Sequence, residues 1–189
     1  MNSRESIIKK YCECELYNGC VVETDIEYDP IKPTMLILDD QESVITLFRK
    51  LLRKMKLLDK FNIIMLSGED VAIKILKLLN SRQDINIDII ITDITYGGSV
   101  KIGDKIVDYD GVELVGILKE LFPKLLYRFL TGHNVTEVST PWIYEKYSKY
   151  ADDDVLEHTS IKDKPITSNK DLILKTVKGS EYEKLVIEP

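Results

Sequence analysis

Nowhere in its 189 residues does the chain carry an apolar run approaching a membrane span, and its start, MNSRESIIKKYCECELYNG, lacks the apolar stretch of a signal peptide. A cytoplasmic protein with no membrane partner is the expectation. Basic charge is also short: 26 Lys and Arg face 32 Asp and Glu, for a net charge of −6 and a pI near 5.1. Nucleic-acid phosphates demand a basic surface, so no nucleic acid is expected either. An acidic balance suits a protein that meets other proteins. Cysteines number only three, Cys12, Cys14 and Cys20, and an odd count in a reducing compartment argues against a disulfide framework. A zinc site would need a fourth ligand, yet the two histidines, His133 and His158, lie far away in sequence. Ordinary packing thiols are expected.

What the chain does have is apolar content, 44%, enough at this length for one core. Short apolar runs of strand length recur at TMLILD (34–39), FNIIML (61–66), DIIITD (88–93) and LLYRFLT (125–131), with a weaker one near VLEHTSI (155–161). Helical patterns lie between them. In ESVITLFRKLLRKM the apolar residues Val44, Leu47, Phe48, Leu51, Leu52 and Met55 recur three and four apart. GEDVAIKILKLLN and DGVELVGILKELF repeat that spacing, PWIYEKYSKY opens a fourth helix at Pro141, and a last helix is expected beyond Pro165. Alternating strand and helix predicts βαβ units, hence a parallel sheet covered by helices on both faces. The expected organisation is an N-terminal extension over 1–33, a domain over 34–178 and a tail over 179–189. Asn18-Gly19, between alternating residues, predicts a β-hairpin in the extension.

In open α/β sheets, sites form beyond the carboxyl ends of the strands. The first strand ends in Asp39-Asp40, the third in Asp93 and the fourth in Thr131-Gly132, while Lys164-Pro165 follows the fifth. Three carboxylates at one edge repel and call for a cation. Hard oxygen ligands favour Mg²⁺. The plainer alternative is that each acid caps the next helix, since Asp is a good N-cap.

LILDDQESVITLFRKLL, IDIIITDI, DGVELVGILKELFP, FLTG and DKP, in this order, resemble the receiver domain of two-component response regulators over roughly residues 34 to 178. The resemblance implies an α/β, flavodoxin-like, doubly wound sheet of five parallel strands in order 2-1-3-4-5. It implies that Asp93 accepts a phosphoryl group from a histidine kinase or histidine phosphotransfer protein. Asp40 would bind Mg²⁺ directly with Asp39 behind it, and Thr95 would join them at the metal. Thr131 would be the switch hydroxyl and Lys164, with Lys162 as its rival, the lysine that pairs with phosphate. Thr95 and His133 are the positions expected to tune phosphoryl lifetime. Such a protein is not an enzyme beyond its own phosphotransfer and dephosphorylation; it switches its affinity for a downstream protein target and in some cases forms a homodimer.

Departures from the family pattern accompany these matches. Between Asp93 and Asp110 stands ITYGGSVKIGDKIVDY, where Gly103-Asp104 predicts a hairpin insertion after the third strand. Ile161 occupies the place of a switch aromatic. Two other functions stay open at this level: a degenerate receiver that binds partners without phosphorylation, and a phosphatase of the haloacid dehalogenase type. The latter wants a second acid where LDDQES has Gln41. Trp142 and Tyr144, off the core stripe of the fourth helix, suggest a partner surface.

Overall fold

The computed structural model describes residues 4, 6–8, 26–68, 70–94, 96, 99–102, 105–108, 110–131, 156–158 and 166–187. Its centre is four parallel strands, β1 (Thr34–Asp39), β2 (Asn62–Ser67), β3 (Ile89–Asp93) and β6 (Leu126–Thr131), in the order β2-β1-β3-β6. Beside β6 lies a three-residue parallel strand, β7 (Leu156–His158). A separate antiparallel pair, β4 (Ser99–Ile102) and β5 (Lys105–Asp108), occupies the stretch after β3.

Both faces of the sheet are apolar, as strands covered by helices on two sides require. Leu36, Leu38, Ile64, Ile90 and Phe129 pack against α2 (Val71–Ser81) and α3 (Gly111–Leu121). Met35, Ile37, Ile89, Ile91 and Leu130 pack against α1 (Glu42–Lys54) and the C-terminal helices α4 (Ile166–Val177) and α5 (Glu183–Ile187). Each helix shows why it sits there: Val44, Ile45, Phe48, Leu51 and Leu52 make one buried stripe of α1, and α3 buries Val112, Leu114, Val115, Ile117 and Leu118.

Apolarity on both faces leaves strand register undecided, because a one-residue slip would exchange one set of aliphatic side chains for another. Polar groups at the strand ends decide it. At the amino edge the Thr34 amide donates to Asp88 Oδ2 at 2.8 Å, and Asn62 Nδ2 donates to the carbonyls of Asp29 at 2.7 Å and Lys32 at 2.9 Å. At the carboxyl edge stand Asp39 and Asp93. Any slip would drag one set of these groups into the core without partners, at a cost of a few kcal/mol each.

Two terminal features go beyond the expectations. Arg4 and residues 6–8 are helical, with Ile8 buried among the α2 and α3 side chains. Arg4 donates to the carbonyls of Gln83 at 2.9 Å and Leu79 at 3.3 Å and lies 5.4 Å over the Phe122 ring. At the other end, residues expected as a tail form α5, which buries Val186, and Tyr182 donates its hydroxyl to Asp88 Oδ1 at 3.1 Å. The Asn18-Gly19 hairpin, the three cysteines and the helix over 141–150 lie outside the described residues. No helix among the described residues is long and apolar enough to cross a membrane.

Candidate functional site

Strand pairing brings the acids together. Leu38 of β1 is level with Thr92 of β3, so the next residues, Asp39 and Asp93, stand side by side at the carboxyl edge. Asp39 shares strand parity with Met35 and Ile37, and Asp93 with Ile89 and Ile91; those four side chains occupy one face, so alternation turns both carboxylates towards that side. Asp40 follows as the chain leaves the sheet. Carboxylate oxygens of Asp39, Asp40 and Asp93 all lie within 4.8 Å of one another.

The capping alternative separates cleanly here. Asp110 is a cap: its Oδ1 accepts the Glu113 amide at 2.8 Å at the start of α3. Asp39 and Asp40 are not, for the residue preceding α1 is Gln41, which makes no side-chain capping bond. Asp39 Oδ1 instead accepts the Gln41 amide at 2.9 Å. Asp39 is only 4% exposed, and burial pushes its carboxyl up to about 7, against the pull of the Gln41 amide and with added push from Asp93 and Asp40. Oδ1 of Asp40 is buried with no hydrogen-bond partner among the described residues. Unpartnered buried acceptors are rare. Three hard oxygen ligands, one of them orphaned and one raised towards 7 chiefly by burial, fit a divalent cation of the Mg²⁺ type.

The turn carrying Asp40 is braced from the side. Gly68 donates its amide to the Asp40 carbonyl at 3.2 Å and has φ +105°, a left-handed conformation open to glycine. Lys74 Nζ donates to the Ser67 carbonyl at 2.8 Å and pairs with Asp70 at 2.7 Å. Ser67 in turn is hydrogen-bonded to the Glu42 carboxylate.

On the opposite face, α3 approaches the end of β3 closely. Gly111 donates its amide to the Ile94 carbonyl at 2.8 Å. A Cβ at position 111 would lie 1.8 Å from the Asp93 carbonyl oxygen and 3.0 Å from Thr92 Oγ1. Only glycine lets the helix start there.

Of the residues expected at the site, Asp39, Asp40 and Asp93 are thus brought together. Thr131 ends β6 at the same edge, one residue beyond Leu130, the partner of Asp93. Thr95, Gly132, His133, Lys162 and Lys164 lie outside the described residues. Sequence reasoning missed Thr92, Tyr96 and the clearance at Gly111. The residue types stand out in the sequence (a hydroxyl ending an isoleucine run, an aromatic three residues past the acid, and a glycine directly after Asp110), but what each of them touches is set by the fold. Compared with family models, curated proteins and solved structures, the chain gives no match.

Proposed function

We propose that the chain is a phosphoacceptor receiver of the response-regulator type, taking a phosphoryl group onto Asp93 from a histidine kinase or histidine phosphotransfer protein and switching its affinity for a protein target. The proposal includes the finer fold, five parallel strands in flavodoxin-like order with β4 and β5 as a hairpin insertion beside the acceptor. One observation carries it: the gathering of Asp39, Asp40 and Asp93 within 4.8 Å, with a buried orphan oxygen on Asp40.

Asp39, Asp40 and Asp93 would hold Mg²⁺, which when bound neutralises charge on the transferring phosphoryl oxygens. Asp93 supplies the nucleophile. One of its carboxylate oxygens attacks phosphorus in line, an O–P bond forms, the P–N or P–O bond of the donor breaks, and the donor keeps the electron pair. The product is an acyl phosphate. Little covalent assistance is needed, since orientation and charge neutralisation dominate this chemistry. The rigid end of β3 provides the orientation. Thr131, at the end of β6, and Lys164 are assigned by motif order to bind the new phosphoryl oxygens.

Incubation with acetyl phosphate and Mg²⁺ should add one phosphoryl group, removable by hydroxylamine and seen by mass spectrometry, and Asp93→Asn should abolish it. Wild-type protein left unmodified by both acetyl phosphate and a competent histidine kinase would overturn the proposal in favour of a phosphorylation-independent binding module.

A second variant separates metal from nucleophile. Asp40→Ala should also block modification, yet it relieves crowding among three carboxylates. The metal-free variant should melt no lower than wild type. A large drop in its melting temperature would mean that Asp40 is a structural residue.

A further inference from the structure

Behind the acceptor, on the α3 side of the sheet, three groups form a chain that the phosphotransfer chemistry above does not use. Tyr96 is buried, and its hydroxyl is hydrogen-bonded to Thr92 Oγ1. Thr92 Oγ1 in turn donates to the main-chain carbonyl of Asp93 at 3.1 Å. A threonine hydroxyl has a single proton. With that proton on the Asp93 carbonyl, the phenol must be the donor to Thr92, so the chain runs one way, from Tyr96 through Thr92 to Asp93.

The other end of the same peptide group is also held, because the Ile94 amide donates to the Leu130 carbonyl at 3.0 Å. Carbonyl and amide of the Asp93–Ile94 peptide are therefore pinned from opposite directions, by the hydroxyl chain and by β6. The plane of that peptide sets ψ of Asp93 and so the aim of its side chain. Burial pushes the ionisation of Tyr96 far upward, only partly offset by the bond to Thr92, and nearby Asp93, Asp39 and Asp110 push the same way. The phenol is a permanent donor.

We propose that Tyr96 is a positioning residue for the acceptor: acting through Thr92, its hydroxyl fixes the main-chain carbonyl of Asp93 and thereby the direction of the Asp93 carboxylate. Tyr96 also stands three residues before β4 in the chain. Orientation errors of about an ångström can cost a hundredfold in rate, which gives a single hydroxyl leverage over the reaction without any contact to the phosphoryl group. The role rests on the phosphoacceptor reading for its effect on rate, but its effect on the peptide does not.

The test uses Tyr96→Phe, Thr92→Val, their double variant and Thr92→Ser, which keeps the hydroxyl. In metal-free protein, amide exchange at Ile94 and Gly111 should rise about tenfold in each of the first two, with no further rise in the double variant. Slowly exchanging amides of α1 and β2 should stay as in wild type, and Thr92→Ser should behave as wild type throughout. Phosphoryl uptake from acetyl phosphate should fall about tenfold with the same lack of additivity. Unchanged exchange at Ile94 and Gly111, a rise spread evenly over α1 and β2, or effects that multiply in the double variant would each overturn the proposal. If the wild type takes up no phosphoryl group, the receiver reading falls and the exchange measurements alone decide the role of Tyr96.

Discussion

Metal-free protein should lose about 2 kcal/mol of stability between pH 5.5 and pH 8, and Mg²⁺ should restore it most strongly at the upper end. The cause is Asp39, whose carboxyl burial raises to about 7 from an ordinary value of 3.8. Between those values the folded protein holds a proton that the unfolded chain has released. Stability is therefore fully present below about pH 4, where both states are protonated, and drains away as the pH rises through 7. The slope is about 1.4 kcal/mol per pH unit, so the span from 5.5 to 7 yields the stated loss and little more is lost beyond. At this chain length that corresponds to a fall of roughly 4–8 °C in melting temperature. A bound cation reverses the preference by favouring the ionised cluster. The melting shift produced by Mg²⁺ should thus grow from pH 5.5 to pH 8, and Asp39→Asn should flatten both trends. An Mg²⁺ shift independent of pH would contradict the placement of Asp39 within the cation's reach.

Gly111→Ala should destabilise the protein by about 3 kcal/mol, the upper part of the range for overpacking, and reduce phosphoryl uptake at least tenfold. The new methyl would have to occupy space 1.8 Å from the Asp93 carbonyl oxygen. Neither neighbour yields easily. The carbonyl belongs to the strand end pinned by Thr92 and β6, and the first turn of α3 is held by the Asp110 cap and by the Gly111 amide bond to Ile94. Whichever side moves, the Asp93 carboxylate moves with it. Gly179→Ala provides the comparison. That residue has φ +76°, and a methyl added to it would meet nothing within 4 Å, so only backbone strain of about 1 kcal/mol is expected there and no change in uptake. Melting curves and acetyl phosphate modification of the two variants separate steric clash from glycine strain. Equal, small effects would show that the approach of α3 to β3 is looser than the structure has it.

Local chemistry made much of this legible from sequence alone. Isoleucine runs of strand length, stripes three and four apart and breaks at Gly and Pro are signals carried within a few residues, and they located the four central strands and the helices between them. The position of Asp39, Asp40 and Asp93 at strand ends was legible for the same reason. Which strand lies beside which was not a local property; the neighbouring of β1 and β3 that sets Asp39 next to Asp93 followed from resemblance and alternation, and the sheet itself carries it. Three features belonged to the tertiary structure only. The Asp39 carboxyl is pushed up to about 7 because folding buries it beside Asp93 and Asp40, Gly111 is required because α3 starts against the carbonyl of a residue far earlier in the chain, and the Tyr96 hydroxyl reaches the main chain of Asp93 because Thr92 turns to the α3 face. Desolvation, clearance and through-space hydrogen bonding depend on groups brought together from distant parts of the chain, and no periodicity in the sequence encodes those distances.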